Sequence, residues 1–440
     1  MSKQGFADDL AAACISATNA VALIPDGSRI AMGLGVSQPP ALLSALADRA
    51  SRGDVDRLSI YYLLSTSIAG ETVLKAELRD RIRPVSLFHS SVERSLDATG
   101  GDRPFVEMLP TPFHQVPRVL CEQIRVDVLL TTVSPMDETG YFSLGTNTDY
   151  ALSVARGGAR IILEVNRYMP RVFGDCLIHI SDVTAIVEND APILEIPGTI
   201  PAPADLKIAT IIAGLVEDGD CLQMGIGAVP QAVCAQLGSH KHLGIHTELL
   251  TPGLADLMRS GVVDNSRKQI NPGRSVFTFA MGDRRLYEYM DGHPTLEAQP
   301  VDYVNDPAVI ARNDKVLSVN ATLQIDLDGA CNSESVRGYQ YSASGGQLDF
   351  VRGAYASRGG RSIIACHSTA AKGTLSRIVP HLDGPVTTPR NDTHIVVTEH
   401  GWADLKGKTL VERARALIVL SAPEHREYLE RQMRSRHRLC

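Results

Sequence analysis

The sequence is poor in aromatic residues and lacks the features of secreted, membrane-spanning and nucleic-acid-binding proteins. Aromatic residues make up 5% of the 440 positions, and the eight cysteines contain no CxxC pair. The longest apolar runs are well short of the about 20 residues that a membrane-spanning helix needs. Residues 1–25 show no long apolar segment of the kind found in signal peptides. Because 43 basic residues face 50 acidic ones, the net charge is −7 and provides no basic surface for nucleic acid. We therefore expect a cytoplasmic protein with reduced cysteines, no membrane segment and no nucleic-acid partner.

Common cofactor and catalytic motifs are also missing. The turn at 224–230 (MGIGAVP) has Pro230 where a dinucleotide fingerprint needs its third glycine. The segment 401–409 (GWADLKGKT) resembles a P-loop, but five residues rather than four separate its glycines. The chain contains neither a GxSxG elbow nor an HExxH pair. These absences argue against a nicotinamide cofactor, nucleotide hydrolysis, a serine hydrolase and a catalytic metal.

Short β-branched segments alternate along the chain with helical patterns and glycine-rich turns. Continuous apolar strands separated by helices indicate an α/β fold whose largely parallel sheets are buried on both faces. The length of the chain suits two or three domains. The clearest predicted strands are 126–133, 160–165, 363–366 and 394–398.

An internal repeat indicates two similar halves. Residues 26–35 (DGSRIAMGLG) recur as residues 218–227 (DGDCLQMGIG), and a helical pattern follows each copy. Four prolines between positions 192 and 203 cannot form a helix or a central strand, so this segment is interpreted as a linker. We therefore predict two similar α/β domains, 1–195 and 196–440.

The two halves differ at the end of one predicted strand. Alignment of Ile60 with Ile245 places a tyrosine-rich segment, 61–63, opposite His246, Thr247 and Glu248. Ligands bind beyond the carboxyl ends of parallel strands, so a glutamate found there in one half is a catalytic candidate. From the pattern alone, a structural role for Glu248, as an exposed strand-end carboxylate or as the partner of a helix N-cap, is slightly favoured over a catalytic one.

Taken together, several segments resemble the acetyl-CoA hydrolase/transferase family of class I CoA-transferases, near its 4-hydroxybutyrate CoA-transferase branch. The resemblance covers nearly the whole chain. One departure is that Cys366 and His367 stand where the family usually has leucine and proline. The segments that carry the resemblance are VSPMDETGYFSLG (133–145), VNRYMPRVFGD (165–175), MGIGAVPQAV (224–233), GIHTELLTPGLADL (244–257), PVDYVNDPAVIARND (300–314), NSES (332–335), QYSASGGQLDFVRGA (340–354) and VVTEHGWADLKGKTLVERARALI (396–418).

The resemblance implies two similar α/β domains with the active site at their interface, and it implies a role for Glu248. Its carboxylate would attack an acyl-CoA thioester to form a mixed anhydride, and the released CoA thiolate would convert the anhydride to a glutamyl-CoA thioester. An incoming acid would then take up CoA by the reverse steps.

The resemblance also implies the residues around this glutamate. The backbone amides of Ile226 and Gly345 would stabilise the oxyanions, and Asn305 would help to hold the glutamyl thioester. The CoA-binding positions carried over from the family are Gln223, Met224, Gly225, Gly227 and, on weaker grounds, Lys372.

The predicted function is transfer of CoA from a donor such as acetyl-CoA or succinyl-CoA to a small carboxylic acid. The acid would resemble 4-hydroxybutyrate, butyrate or itaconate. CoA would be a substrate, with no permanently bound cofactor and no metal, and relatives of this kind form dimers or higher homo-oligomers. Two alternatives remain open: an acyl-CoA hydrolase that uses the same glutamate, and a non-catalytic acyl-CoA-binding protein.

Overall fold

The computed structural model describes residues 3–99 and 104–437. The chain divides into two compact units. The first contains residues 1–196 and 277–303, and the second contains residues 197–276 and 304–440. The chain passes from the first unit to the second after Ile196, inside the segment 189–202 that forms neither helix nor strand. The division into domains 1–195 and 196–440 stays a prediction. Nothing in the sequence signalled that residues 277–303 would pack with the first unit.

Strands and helices alternate along both units. The strands are β1 Arg29–Met32, β2 Leu58–Leu63, β3 Ile82–Phe88, β4 Glu107–Met108, β5 Val128–Val133, β6 Tyr141–Ser143, β7 Arg160–Val165, β8 Leu177–His179, β9 Val183–Glu188, β10 Cys221–Met224, β11 Gly244–Leu250, β12 Ser275–Ala280, β13 Leu296–Ala298, β14 Val316–Ala321, β15 Gln324–Asp326, β16 Cys331–Asn332, β17 Ser335–Val336, β18 Tyr339–Gln340, β19 Arg361–Ala365, β20 Thr369–Ala370, β21 Leu375–Ser376, β22 Ile378–Val379, β23 Ile395–Thr398 and β24 Gly401–Asp404.

The α-helices lie between these strands. They are α1 Lys3–Ala13, α2 Ala17–Ala22, α3 Pro40–Ser51, α4 Ser67–Gly70, α5 Ser91–Asp97, α6 Val116–Arg118, α7 Ala151–Arg156, α8 Pro203–Ala213, α9 Ala228–Cys234, α10 Pro252–Arg259, α11 Arg284–Met290, α12 Val301–Val304, α13 Pro307–Ile310, α14 Gln347–Ala356, α15 Leu410–Leu420 and α16 Pro423–His437. Within the described ranges, no helix is long and apolar enough to cross a membrane.

The first unit is built on a parallel sheet with the order β4-β3-β2-β1-β5-β7-β9. One apolar cluster joins the face of the sheet formed by alternate strand residues, such as Ile30, Ile60 and Leu130, to the helices α2 and α3. The returning segment 277–303 joins this unit through backbone hydrogen bonds, including Ala298 N–H to Phe173 O at 2.8 Å and Thr148 N–H to Thr278 O at 3.0 Å.

The second unit repeats this arrangement. Its neighbouring strands run β11-β10-β14-β19-β23-β24, and all but the edge strand β24 are parallel. The repeat that the sequence shows is visible in the register, since Ile30 pairs with Ile60 in the first unit and Leu222 pairs with Ile245 in the second. The predicted α/β class with largely parallel sheets is confirmed, because both sheets are parallel along most of their strands.

A buried ion pair links β19 to the residue before β10. Arg361 donates to Asp220 Oδ2 at 2.6 Å and to Leu215 O at 2.9 Å, and the Asp220 side chain is fully buried. Burial raises the pKa of Asp220 to about 6 despite this guanidinium. A buried carboxylate that loses its counter-charge is expensive, so the pair stabilises the contact between β19 and the residue before β10, the two strands that flank β14.

We predict that Arg361→Met lowers the free energy of unfolding by about 3–5 kcal/mol, because it leaves Asp220 buried without a cation. Urea denaturation followed by circular dichroism measures the change. Arg358→Met is the matched control. The Arg358 side chain is 86% exposed and pairs with Asp314, so its loss should change the free energy of unfolding little. Equal losses in the two variants would contradict this account of the pair.

Candidate active site

Glu248 lies near the carboxyl end of β11 and is the one residue of that strand that is not fully buried. The residues before it are anchored in the core. His246 donates from Nε2 to Val304 O at 2.8 Å, and burial lowers its pKa to about 3, so the ring is neutral. Thr247 Oγ1 donates to Leu249 O at 3.1 Å. The strand therefore presents Glu248 from a rigid backbone.

Two donors from distant parts of the sequence hold the Glu248 carboxylate. Asn305 Nδ2 donates to Glu248 Oε2 at 2.7 Å, and the backbone N–H of Gly346 donates to the same carboxylate. Asn305 is completely buried, and within the described residues its Oδ1 atom has no hydrogen-bond partner. The carboxylate is thus fixed in place while its environment stays poor in donors.

This environment raises the pKa of Glu248 to about 7. Burial is the largest cause, and the negative charge of Asp349 acts in the same direction. The hydrogen bonds from Asn305 and Gly346 lower the pKa, but they do not offset the burial. A strongly perturbed carboxylate at the end of a parallel strand is typical of a functional group.

Gly346 has no room for a side chain. A β-carbon at this position would overlap Glu248 Oε2 and Asn305 Nδ2. Gly346 is also the residue before α14, and Gly345 turns the chain into it with a φ of +50°. The pair of glycines therefore brings a backbone N–H against the carboxylate, as close approach without a β-carbon allows.

The turn that follows β10 lies beside this strand. Cys221 and Leu222 pair with Gly244 and Ile245, and Gly225 and Glu248 each lie three residues beyond the last of these pairs. Gly225 donates from its backbone to Val319 O at 2.9 Å. The glycine-rich turn and the candidate nucleophile are therefore neighbours at one edge of the sheet.

The predicted binding residues of this turn differ in exposure. Gln223 and Met224 are buried, and Gln223 exchanges side-chain hydrogen bonds with Asn320 at 3.0 and 3.4 Å. Ile226 is 55% exposed, and Gly227 has a φ of +121°. The side chains of Gln223 and Met224 are therefore buried, while Ile226 and Gly227 are exposed.

Lys372 lies in the turn between β20 and β21. It is exposed and adopts a φ of +57°, and no hydrogen bond or ion pair engages it in the part of the chain that the structure describes. Hydrogen bonds thus join Glu248 to Asn305 and Gly346, the glycine-rich turn follows the neighbouring strand β10, and the role of Lys372 stays a prediction.

Two contributors were missed by the sequence analysis, Gly346 and Asp349. The segment SGGQLDF pointed to the loop, but the residue that meets the carboxylate is the neighbour of the predicted Gly345. Asp349 follows in the first turn of α14, where an acidic residue is also an ordinary helix-start feature. The roles of Ile226 and Gly345 as oxyanion donors stay predictions.

Within the described residues, no cluster of three or more His, Cys, Asp or Glu side chains could hold a metal ion.

We predict that Glu248→Gln stabilises the protein at alkaline pH. Folding raises the pKa of Glu248 from its ordinary value of 4.5 to about 7, so ionisation of this side chain destabilises the folded protein. The loss of stability accumulates as the pH rises from about 4.5 through 7. A glutamine keeps an acceptor for Asn305 and Gly346 without the charge. Thermal unfolding should show a gain of about 1–3 kcal/mol at pH 8 and little change at pH 5.

Glu399→Gln is the control, and its expected change in stability at pH 8 has the opposite sign. Burial alone would raise the pKa of Glu399, but two hydrogen bonds from Ser368 hold it below its ordinary value. This variant should therefore lose stability at pH 8. A Glu248→Gln protein that is destabilised equally at both pH values would contradict the raised pKa.

Comparison with known proteins gives consistent matches over the chain. A model of the acetyl-CoA hydrolase/transferase N-terminal domain matches residues 5–196, and a model of the C-terminal domain of that family matches residues 282–433. The crystal structure of RipA from Yersinia pestis is 55% identical, with a TM-score of 0.96 over 98% of this chain and 99% of that one.

Two curated relatives also match along their full lengths. The succinyl-CoA:cyclohexane-1-carboxylate CoA transferase of Geobacter metallireducens is 42% identical over 96% of this chain and 95% of its own. The 4-hydroxybutyrate coenzyme A transferase of Clostridium kluyveri is 41% identical over 96% of this chain and 97% of its own. From the two domain models and these relatives, the chain belongs to the acetyl-CoA hydrolase/transferase family.

Proposed function

We propose that the protein transfers CoA from an acyl-CoA donor to a small carboxylic acid, with Glu248 as the nucleophile. The observation that carries this proposal is the Glu248 carboxylate itself. It belongs to the one residue of β11 that is not fully buried, it is held by Asn305 and Gly346, and its pKa is raised to about 7. The curated relatives that match full length are named CoA transferases, which supports the same reaction class.

The chemistry follows from what a carboxylate can do at a thioester. Glu248 attacks the thioester carbon, the carbon–sulfur bond breaks, and an acyl-glutamyl anhydride and CoA thiolate form. The thiolate then attacks the glutamyl carbonyl, which releases the donor's acid and leaves a glutamyl-CoA thioester. The acceptor acid reverses these steps and leaves as the new acyl-CoA. Both intermediates are activated, so the free energy of the thioester is passed on.

The raised pKa suits this role. At a pH near 7 a substantial fraction of Glu248 is ionised and able to attack. A carboxylate of higher pKa is also a better nucleophile than an ordinary one, because nucleophilicity rises with basicity. Asn305 and Gly346 orient the reacting oxygen atoms without removing this basicity.

Each addition step places negative charge on a carbonyl oxygen. We assign its stabilisation to the backbone amides of Ile226 and Gly345, which belong to the two glycine-rich segments near Glu248. A single donor of this kind contributes about 3–4 kcal/mol to the transition state. Asn305 would hold the glutamyl carbonyl through the amide that now binds the carboxylate.

CoA would lie over the turn after β10. Because the side chains of Gln223 and Met224 are buried, contact there would come from the backbone of the turn, including Gly225 and Gly227. Lys372 is assigned to a more remote part of CoA. Binding energy from such remote contacts can be used to lower the barrier at the reacting carbon.

The proposed acceptor is an acid like 4-hydroxybutyrate, butyrate or itaconate, and the proposed donor is acetyl-CoA or succinyl-CoA. We further propose a cytoplasmic homo-oligomer without a permanently bound cofactor, as the family resemblance implies. An exchange assay with a panel of acids tests the reaction. Acyl-CoA consumption that needs a co-substrate acid supports transfer, and CoA release at the same rate without any acid would identify a hydrolase.

Two substitutions should abolish exchange while the protein stays folded. Glu248→Ala removes the nucleophile. Gly346→Ala places a methyl group on the Glu248 and Asn305 contact, and we expect a loss of at least about 100-fold in kcat. Gly238→Ala is the matched control, since a β-carbon there meets nothing within 4 Å. Near-normal exchange by the Glu248→Ala protein would overturn the assignment.

A further inference from the structure

His367 follows β19 at the edge of the sheet where β11 presents Glu248. Two strands, β10 and β14, lie between them. With neighbouring strands about 4.8 Å apart, β19 lies about 14 Å from β11 along this edge. A substrate that reacts at Glu248 and extends along the edge over the turn after β10 would therefore reach the end of β19.

A buried carboxylate sets the orientation of the His367 ring. The distance from His367 Nε2 to Asp205 Oδ1 is 2.6 Å, and the other carboxylate oxygen of Asp205 accepts the Ala202 backbone N–H at 2.8 Å. The carboxylate can only accept, so Nε2 carries the hydrogen. The Nδ1 atom has no partner within the described residues, and the side chain is 35% exposed. One ring nitrogen is thus held by protein and the other is available to a ligand.

The chain around His367 is rigid. Ser368 donates from its backbone N–H and its Oγ to the two oxygens of Glu399, at 2.9 and 2.6 Å. Cys366 N–H donates to Val397 O at 3.1 Å. The negative charge of Glu399 is therefore engaged by Ser368, and the position of His367 does not depend on a mobile loop.

The segment after His367 carries an available cation, Lys372. The hairpin formed by β20 and β21 places Lys372 at its tip, exposed and without a partner in the described part of the chain. Two adjacent non-glycine residues, Ala371 and Lys372, hold φ values of +48° and +57° there. Such backbone strain is uncommon and clusters at binding sites. The end of β19 thus offers two groups that can pair with an anion.

We propose that His367, positioned by Asp205, contacts a phosphate of CoA, so that the nucleotide end of CoA lies at the end of β19. In the doubly protonated ring, Nε2–H donates to Asp205 and Nδ1–H donates to a phosphate oxygen. This inference rests on the proposed function, since it takes the CoA thiol to be at Glu248. It adds the direction in which CoA lies along the edge and a binding residue that the sequence analysis did not assign.

The test compares acyl-CoA with the matching acyl-pantetheine, which lacks the phosphates. For His367→Gln, the ratio of the KM for acyl-CoA to the KM for acyl-pantetheine should rise about 10-fold over wild type, the effect of one charge-assisted hydrogen bond. His367→Lys retains a cation and should restore most of the wild-type ratio. His381→Gln removes an exposed histidine of the same unit and should leave the ratio as in wild type.

Two results would overturn the proposal. One is a His367→Gln protein whose KM values for both thioesters stay at the wild-type level. The other is an equal rise of both KM values, which also leaves the ratio unchanged and would place His367 against the pantetheine arm or in a purely structural role. Failure of the proposed function looks different, because wild-type protein would then exchange neither thioester with any acid.

Discussion

The burial of the Glu248 carboxylate is the constraint on which the arrangement of the candidate site depends. Glu248 costs the folded state free energy whenever it is ionised, since two hydrogen bonds do not compensate for the water it has lost. The protein nevertheless holds this side chain in a rigid position, near the end of a strand whose other residues are buried. A side chain that destabilises the fold and is nevertheless held in one position is expected to be reactive, because the loss of water that destabilises it also makes it more basic.

Three segments far apart in the sequence converge on this carboxylate. The strand β11 carries it, Asn305 approaches from the segment after α12, and Gly346 approaches from the start of α14. The parallel topology brings this about, because the carboxyl ends of neighbouring strands share one edge and the connections that follow them meet above it. The first unit has the same strand order around β1, and its corresponding strand β2 has Leu63 where β11 carries the glutamate.

The sequence predicted the elements that depend on local patterns. The apolar strands 160–165 and 394–398 appear as β7 and β23, and the repeated DG…GxG segments become β1 and β10 with their glycine-rich turns. Glu248 could be singled out because the two halves diverge at one strand end. The resemblance to a known family then added Asn305 and the loop at 342–350.

Features that depend on contacts between segments far apart in the sequence could not be predicted. Which of two adjacent glycines meets the carboxylate is decided by the φ of +50° at Gly345, and the letters GG do not encode that choice. The influence of Asp349 on Glu248 requires α14 to begin beside β11. The return of residues 277–303 to the first unit likewise arises from long-range backbone pairing, to which no composition signal corresponds.

The most direct test of a nucleophilic Glu248 is chemical trapping followed by mass spectrometry. Brief exposure to an acyl-CoA and then to borohydride would reduce a glutamyl-CoA thioester to a primary alcohol, with release of CoA. The account predicts that peptide mapping finds this reduced side chain at Glu248 and that the same treatment leaves Glu248 unchanged when acyl-CoA is omitted. An unmodified Glu248 in a preparation that exchanges CoA between acids would contradict the account.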